Sequence, residues 1–242
     1  VIEGSDKGSE PLRVLVVLAH PDDPDFFCGG TAAKWCAQGH EVIYCLLTRG
    51  DKGSDDVDVN AAEMAEQRVA EQRAAAEVTG VREVIFLDYP DGYLMPDLLM
   101  RRDITRIIRR TRPEIVITCD PTNFFPSDDY INHADHRAAG EVALDAVFPA
   151  ARSGMYFPEL YQEEGLEPHR VSQVYLAGTR YPNTTIDVTD YFDIKLSALK
   201  EHRSQVKDLD ELADRLRKRM LDPNSPPDSP RYIETFKRIR LR

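Results

Sequence analysis

Apolar residues fall in short blocks along the chain, separated by stretches with helical spacing. Leu12-Arg13-Val14-Leu15-Val16-Val17-Leu18 is a nearly unbroken β-rich run, as expected of a strand in a parallel sheet with helices over both faces, where neither face meets water. A helical stretch follows Cys28-Gly29-Gly30-Thr31 to about Gly39, and Glu41 to Thr48 reads as a second strand, so the chain opens on a β-α-β unit. The pattern then repeats. An Ala-rich helix from Asn60 to Val78 closes at Gly80, and Val84-Ile85-Phe86-Leu87 makes a third strand. Ile104, Ile107, Ile108 and Thr111 recur at helical spacing, while Arg101, Arg102, Arg106, Arg109 and Arg110 take the remaining positions, which predicts a solvated basic face. Pro113 stops that helix ahead of strand Ile115-Val116-Ile117-Thr118.

A long irregular stretch from Cys119 to Asn132 carries Phe124, Phe125, Pro126 and Tyr130, and loops of this length in compact domains usually serve function. A helix from about His136 to Val147 is expected next, then a strand at Ser172 to Gly178 and a helix around Asp190 to Val206. Leu209, Leu212, Leu216 and Met220 mark an amphipathic helix. The proline-rich Asp222 to Pro230 leads to a tail with Tyr232, Phe236 and Ile239 on one face, which must dock on its own core or on a neighbouring subunit. The expectation is one α/β domain over residues 1–242 with a mostly parallel sheet and a helical C-terminal extension from about 207. A homo-oligomer is left open, with the face from Leu209 onward as its contact.

Composition narrows the function. The 242 residues, 42% hydrophobic and 30% charged, suffice for one sizeable core. A net charge of -11 argues against nucleic acid, which is bound through clustered Lys and Arg, and favours a small neutral molecule or sugar. Cys28, Cys36, Cys45 and Cys119 show no C-x-x-C spacing and read as reduced, buried thiols. No apolar run reaches the roughly 18 residues of a membrane span, and Val1 to Pro11 lacks the basic start and apolar stretch of a signal peptide. A soluble, cytoplasmic protein is expected.

The chemistry gathers after strand ends, where open parallel sheets bind their ligands. Strand one runs into His20-Pro21-Asp22-Asp23, and strand four leads to His133-Ala134-Asp135-His136. Each string alone also serves turns and helix caps; together they supply the three nitrogen or oxygen donors a catalytic zinc takes, namely His20, Asp23 and His136. Asp22 is then the candidate base. His133, if protonated, is a donor to an oxyanion, and Asp135 an outer partner that orients an imidazole. His40 and His169 lack companions and read as ordinary surface or loop histidines.

With Gly29-Gly30-Thr31, Thr48-Arg49-Gly50-Asp51-Lys52-Gly53, Arg68 with Glu71, Tyr89-Pro90-Asp91-Gly92, Asp120-Pro121 and His202-Arg203-Ser204-Gln205 in the same order, the chain resembles the LmbE-like or PIG-L family of N-acetylglucosamine deacetylases. The resemblance spans most of the chain. It implies a zinc-dependent amide hydrolase on a Rossmann-like three-layer sandwich, with His20, Asp23 and His136 as metal ligands, Asp22 as general base, His133 on the oxyanion, and Arg68 and Asp91 on the substrate side. An Arg and a Glu three residues apart on a helix more often form a solvated ion pair. Ala134 stands where relatives often have Pro, and Asp51 stands where many have Glu, shortening a carboxylate expected to line the pocket.

The leading expectation is removal of an N-acetyl group from an amino-sugar derivative, with another divalent ion left open beside zinc. The alternatives are an amidase for a larger acyl group or thiol conjugate, its choice set by Cys119 to Asn132 and Gly154 to His169, and a non-catalytic carbohydrate-binding protein. Dinucleotide binding is weak, because no G-x-G-x-x-G follows the first strand.

Overall fold

The computed structural model describes residues 11–242; the reading of Val1–Pro11 rests almost wholly on residues outside that range. Strands β1 (Arg13–Leu18), β2 (Glu41–Leu46), β3 (Glu83–Phe86), β4 (Ile115–Cys119) and β5 (Gln173–Ala177) run parallel. β6 (Thr184–Asp187) and β7 (Ile233–Arg240) complete a seven-stranded sheet in the order β3-β2-β1-β4-β5-β7-β6, with β7 antiparallel to both of its neighbours. Because β2 and β4 flank β1 on opposite sides, the chain reverses its direction of travel across the sheet at β1. The carboxyl ends of β1 and β4 therefore border the crevice where such sheets bind ligands.

Alternate residues of β1 enter different layers. Val14, Val16 and Leu18 pack with Trp35 and Ala32 of α1 (Asp23–Ala37), while Leu15 and Val17 pack with Ile104 and Ile108 of α3 (Leu98–Thr111) and Val142 of α4 (Ala134–Asp145). The expected alternation of helices and strands thus builds three layers, with α2 (Ala61–Thr79) packed beside α1 and α3 beside α4. α2 starts where Asn60 Oδ1 accepts the Ala62 and Glu63 N–H groups, and it ends on left-handed Gly80, close to the sequence-predicted bounds.

Several expectations change. The helical extension from about 207 is half right: α7 (Leu209–Met220) forms, but the tail after the proline-rich linker is strand β7. Phe236 is wholly buried against Tyr175 and Trp35, so the tail docks on its own sheet. The apolar face of α7, Leu212, Leu216 and Met220, packs within the chain on Val188, Phe192 and Leu199, which fills the surface expected to hold another subunit. The helix expected over 190–206 is α6 (Phe192–Glu201).

The basic face of α3 is not wholly solvated. Arg109 is 2% exposed and donates to the carbonyls of Ala150, Ala151, Ser153 and Tyr156, because the chain after α4 folds over it and would otherwise leave those acceptors unpaired. His40 is buried rather than on the surface, its Nδ1 accepting the Leu12 N–H. His169 is half-buried beside the Pro113 carbonyl. Among the described residues no helix is long and apolar enough to cross a membrane.

Candidate metal centre

β1 ends at Leu18, and α1 begins five residues later at Asp23 with Pro24 in its first turn. The turn between them closes on itself: the His20 N–H donates to Asp23 Oδ2 at 2.9 Å, and the Asp23 N–H donates to the His20 carbonyl at 3.3 Å. This doubling back puts His20 Nδ1 3.3 Å from Asp23 Oδ2. From the other loop, His133 caps α4, its Nδ1 accepting the Asp135 N–H at 3.1 Å, and the first turn of α4 brings His136 Nε2 to 3.0 Å from Asp23 Oδ1. The three rings cluster, with His20 centred 4.8 Å from His133 and 5.3 Å from His136.

Among the described residues two donor triplets are close enough to hold a metal ion, each with its ligand atoms within 4.8 Å: His20, Asp23 and His136, and His20, His133 and Asp135. Hydrogen bonding separates them. Asp135 is committed, since Oδ2 accepts the Gly92 N–H at 2.7 Å, Oδ1 accepts the Leu94 N–H at 3.1 Å, and Oδ2 lies 3.2 Å from His20 Nε2. Asp91 Oδ1 lies 3.1 Å from the same ring nitrogen. With its Nε2–H donated to this pair of carboxylates, His20 turns Nδ1 toward Asp23, the nitrogen that would bind an ion on losing its proton. Asn132 Oδ1 does the same for His136, meeting Nδ1 at 3.2 Å and leaving Nε2 to face Asp23. The residues around the first triplet thus fit a divalent ion, and its two imidazoles and one carboxylate are donors suited to zinc.

The electrostatics have the same sense. Burial opposes charge on His20, yet Asp23, Asp135 and Asp91 outweigh it and raise the pKa well above the usual imidazole value. Burial also opposes charge on Asp23, but His136 and His20 hold its carboxyl well below the usual carboxylate range. Such a site attracts a cation. Burial pushes Asp22 up to about 6 against the pull of Arg68. His133 goes the other way: burial and then its two imidazole neighbours lower it. Its Nδ1 accepts the Asp135 N–H, which places a ring proton on Nε2 and makes that nitrogen the donor.

Arg68 reaches this turn from α2. Its Nη2 donates to the Pro21 carbonyl at 2.5 Å and lies 3.2 Å from Asp22 Oδ1, while Nη1 donates to the Gly50 carbonyl at 3.2 Å. Gly50 has φ 72°, and a Cβ there would come within 2.5 Å of the guanidinium, so the loop after β2 needs glycine at this point. The solvated Arg68–Glu71 pair expected of an exposed helix does not form. Both residues are buried, and Glu71 accepts from the Ser204 N–H and hydroxyl. Asp51 does not line the cavity; its Oδ1 accepts the Asp91 N–H at 3.3 Å.

A cavity of about 710 Å³ opens over the cluster. Asp22, Asp23, Arg68, Asp91 and the three histidines border it, with Phe27, Cys119, Ala177 and Gly178 forming an apolar part of the wall and Tyr130 and Arg219 contributing further lining. The 119–132 loop contributes as expected, but residues 154–169 do not, and α7 joins through Arg219. Cys28, Cys45 and Cys119 are buried with thiol pKa values pushed up by burial, which leaves them un-ionised and poor nucleophiles. The sequence reading did not single out Asn132 as an imidazole partner or Gln72 as a contact of the turn. Asn132 stands four residues before His136, a spacing that could have drawn attention to it; Gln72 carried no such signal.

The family model PIG-L, GlcNAc-PI de-N-acetylase, matches residues 15–147. Diacetylchitobiose deacetylase of Thermococcus kodakarensis is 36% identical over 193 residues, covering 80% of this chain and 70% of that protein. 1D-myo-inositol 2-acetamido-2-deoxy-alpha-D-glucopyranoside deacetylase 1 of Saccharopolyspora erythraea is 29% identical, covering 81% and 78% of the two chains. Among solved structures, N,N'-diacetylchitobiose deacetylase from Pyrococcus horikoshii superposes with a TM-score of 0.84 at 31% identity, over 96% of this chain and 85% of that one.

Proposed function

The chain belongs to the PIG-L family, and from that membership we propose that it is a metal-dependent hydrolase that removes the N-acetyl group from an amino-sugar derivative. The observation that carries this reading is the convergence of His20, Asp23 and His136, whose donor atoms face one another, beside an Asp22 carboxylate that is not needed as a ligand. His20, Asp23 and His136 would hold the ion, with zinc preferred on donor type. When bound, it would polarise the amide carbonyl and acidify water.

The chain's own groups divide the remaining work. Asp22 accepts a proton from the attacking water and returns it to the departing amine as the C–N bond breaks. His133 donates from Nε2 to the oxygen that becomes negative when the carbonyl carbon turns tetrahedral. Arg68 directs Nη1 and Nη2 to the Gly50 and Pro21 carbonyls and to Asp22, which supports a role in holding the base beside the substrate-side role the family resemblance implied. Asp91 borders the cavity, but its closeness to His20 Nε2 supports, as for Asp135, a role in orienting that imidazole. The cavity lies within the roughly 300–1,000 Å³ typical of small-molecule sites, enough for a sugar and part of its aglycone.

The test is a panel of N-acetylated glycosides incubated with metal-free and zinc-loaded protein, with acetate and free amine both quantified. Equal amounts of the two products, only in the metal-loaded samples, are expected; no release from any N-acetyl sugar at any metal loading would overturn the reading. Asp91→Asn should weaken metal binding by about 10- to 100-fold, the usual effect of losing an outer partner of a ligating histidine. Unchanged affinity in a chelator competition would return Asp91 to the substrate side.

A further inference from the structure

Beneath the Asp22 turn lies a buried polar chain that the reaction as described does not use. Asp25, Gln72 and His202 are each 0% exposed and come from α1, from α2 and from the end of α6. Gln72 Nε2 donates to Asp25 Oδ2 at 2.8 Å, and His202 Nε2 lies 2.9 Å from the same oxygen. A carboxylate only accepts, so the Gln72 amide must turn its NH₂ toward Asp25 and its carbonyl the other way. That carbonyl accepts the backbone N–H of Asp22 at 2.8 Å.

Asp22 is where this grip matters. Its backbone lies at φ 99°, ψ -34°, a region that residues with side chains rarely occupy unless the surroundings hold them there. The peptide plane that sets this φ carries the Pro21 carbonyl at one end and the Asp22 N–H at the other. Arg68 takes the carbonyl and Gln72 takes the N–H. The two stand four residues apart, hence on one face of α2, so a single helix clamps both ends of one peptide.

We propose that Gln72 is a positioning residue for the hydrolysis: locked by Asp25 and His202, it fixes the Pro21–Asp22 peptide and so aims the Asp22 carboxylate into the cavity. This rests on the reading of Asp22 as the base. Gln72 touches none of the three ligand side chains, so its loss acts on turnover and spares metal binding.

The experiment uses the zinc-loaded full chain and measures kcat, KM, metal stoichiometry and Tm. Gln72→Leu keeps the volume but removes both hydrogen bonds, and should lower kcat by about a hundredfold, as misplacement of a reacting group by around 1 Å does, with KM within about twofold and one metal ion retained. Gln72→Met likewise fills the space with neither donor nor acceptor and should lower kcat to a similar extent. A residue needed only for folding would lower Tm but leave kcat per folded, metal-loaded molecule at the parental value. Parental kcat in a folded Gln72→Leu or Gln72→Met protein overturns the inference. Asp22→Asn is measured alongside: if that variant turns over normally, the reading of the base has failed, whereas an inactive Asp22→Asn with a fully active Gln72→Leu overturns the positioning role alone. Should Gln72→Leu not fold, Gln72→Met decides.

Discussion

Asp22→Asn is expected to reduce kcat by about 10²- to 10⁴-fold, the range a positioned general base contributes, while leaving metal content and fold close to those of the parent. Asn is the informative replacement because it has the shape of Asp and is among the residues that best tolerate a positive φ, which Asp22 adopts at 99°. Its side-chain oxygen can still accept from Arg68, which stands 3.2 Å from Asp22 Oδ1. An alanine here would remove the carboxylate beside that guanidinium, leaving it only the Pro21 and Gly50 carbonyls, and mix loss of the base with local rearrangement. Asp22 is not one of the three donors, and Asp23 keeps its contacts with His20 and His136, so metal stoichiometry should stay near parental. Steady-state kinetics on metal-saturated protein, with metal quantified on the same sample, decides the matter. Turnover equal to the parent would remove Asp22 from the reaction.

His136→Ala is expected to cost more than Asp91→Asn, lowering metal affinity by more than about a hundredfold, because it removes a donor itself where the loss of an outer partner costs about 10- to 100-fold. His136 Nε2 sits 3.0 Å from Asp23 Oδ1, and Asn132 holds its other nitrogen. Without the ring, His20 and Asp23 remain as two donors. Activity should be lost after dialysis and recover in part at high free metal. Competition with a coloured chelator measures the affinity directly. An unchanged affinity would reject His136 as a ligand and favour the other triplet, His20, His133 and Asp135.

Both experiments concern residues that were visible in the amino-acid sequence, and the reason is local. His20 to Asp23 and His133 to His136 are each four consecutive residues after a strand, so the turn and the helix start that array them depend on nearby chain alone. The same holds for α2, whose Asn60 cap and Gly80 stop were readable. β7 was not. The apolar residues Tyr232, just before it, Phe236 and Ile239 mimic helical spacing, and its strand alternation is hidden by a buried carboxylate. Glu234 occupies an inward position because Lys195 Nζ meets it at 2.6 Å and it accepts the N–H groups of Gly30 and Thr31, freed where α1 kinks at Cys28. Burying that charge without such partners would be prohibitive, and none of them is near it in sequence.

The sequence by itself determined the alternation of strands and helices, the parallel sheet and the two loops that carry the candidate ligands, since hydrophobic period, caps and turn residues act over a few positions. Only the tertiary structure decided how the polar groups are shared. It set Asp91 and Asp135 behind His20, put Asn132 on His136, set the Asp135 N–H on His133 Nδ1, and joined Asp22 to Gln72, 50 positions away, and Asp25 to His202, 177 positions away. Such pairings arise because burial forces each donor and acceptor to find a partner, and the order of strands across the sheet, which no local pattern specifies, decides which partners are within reach.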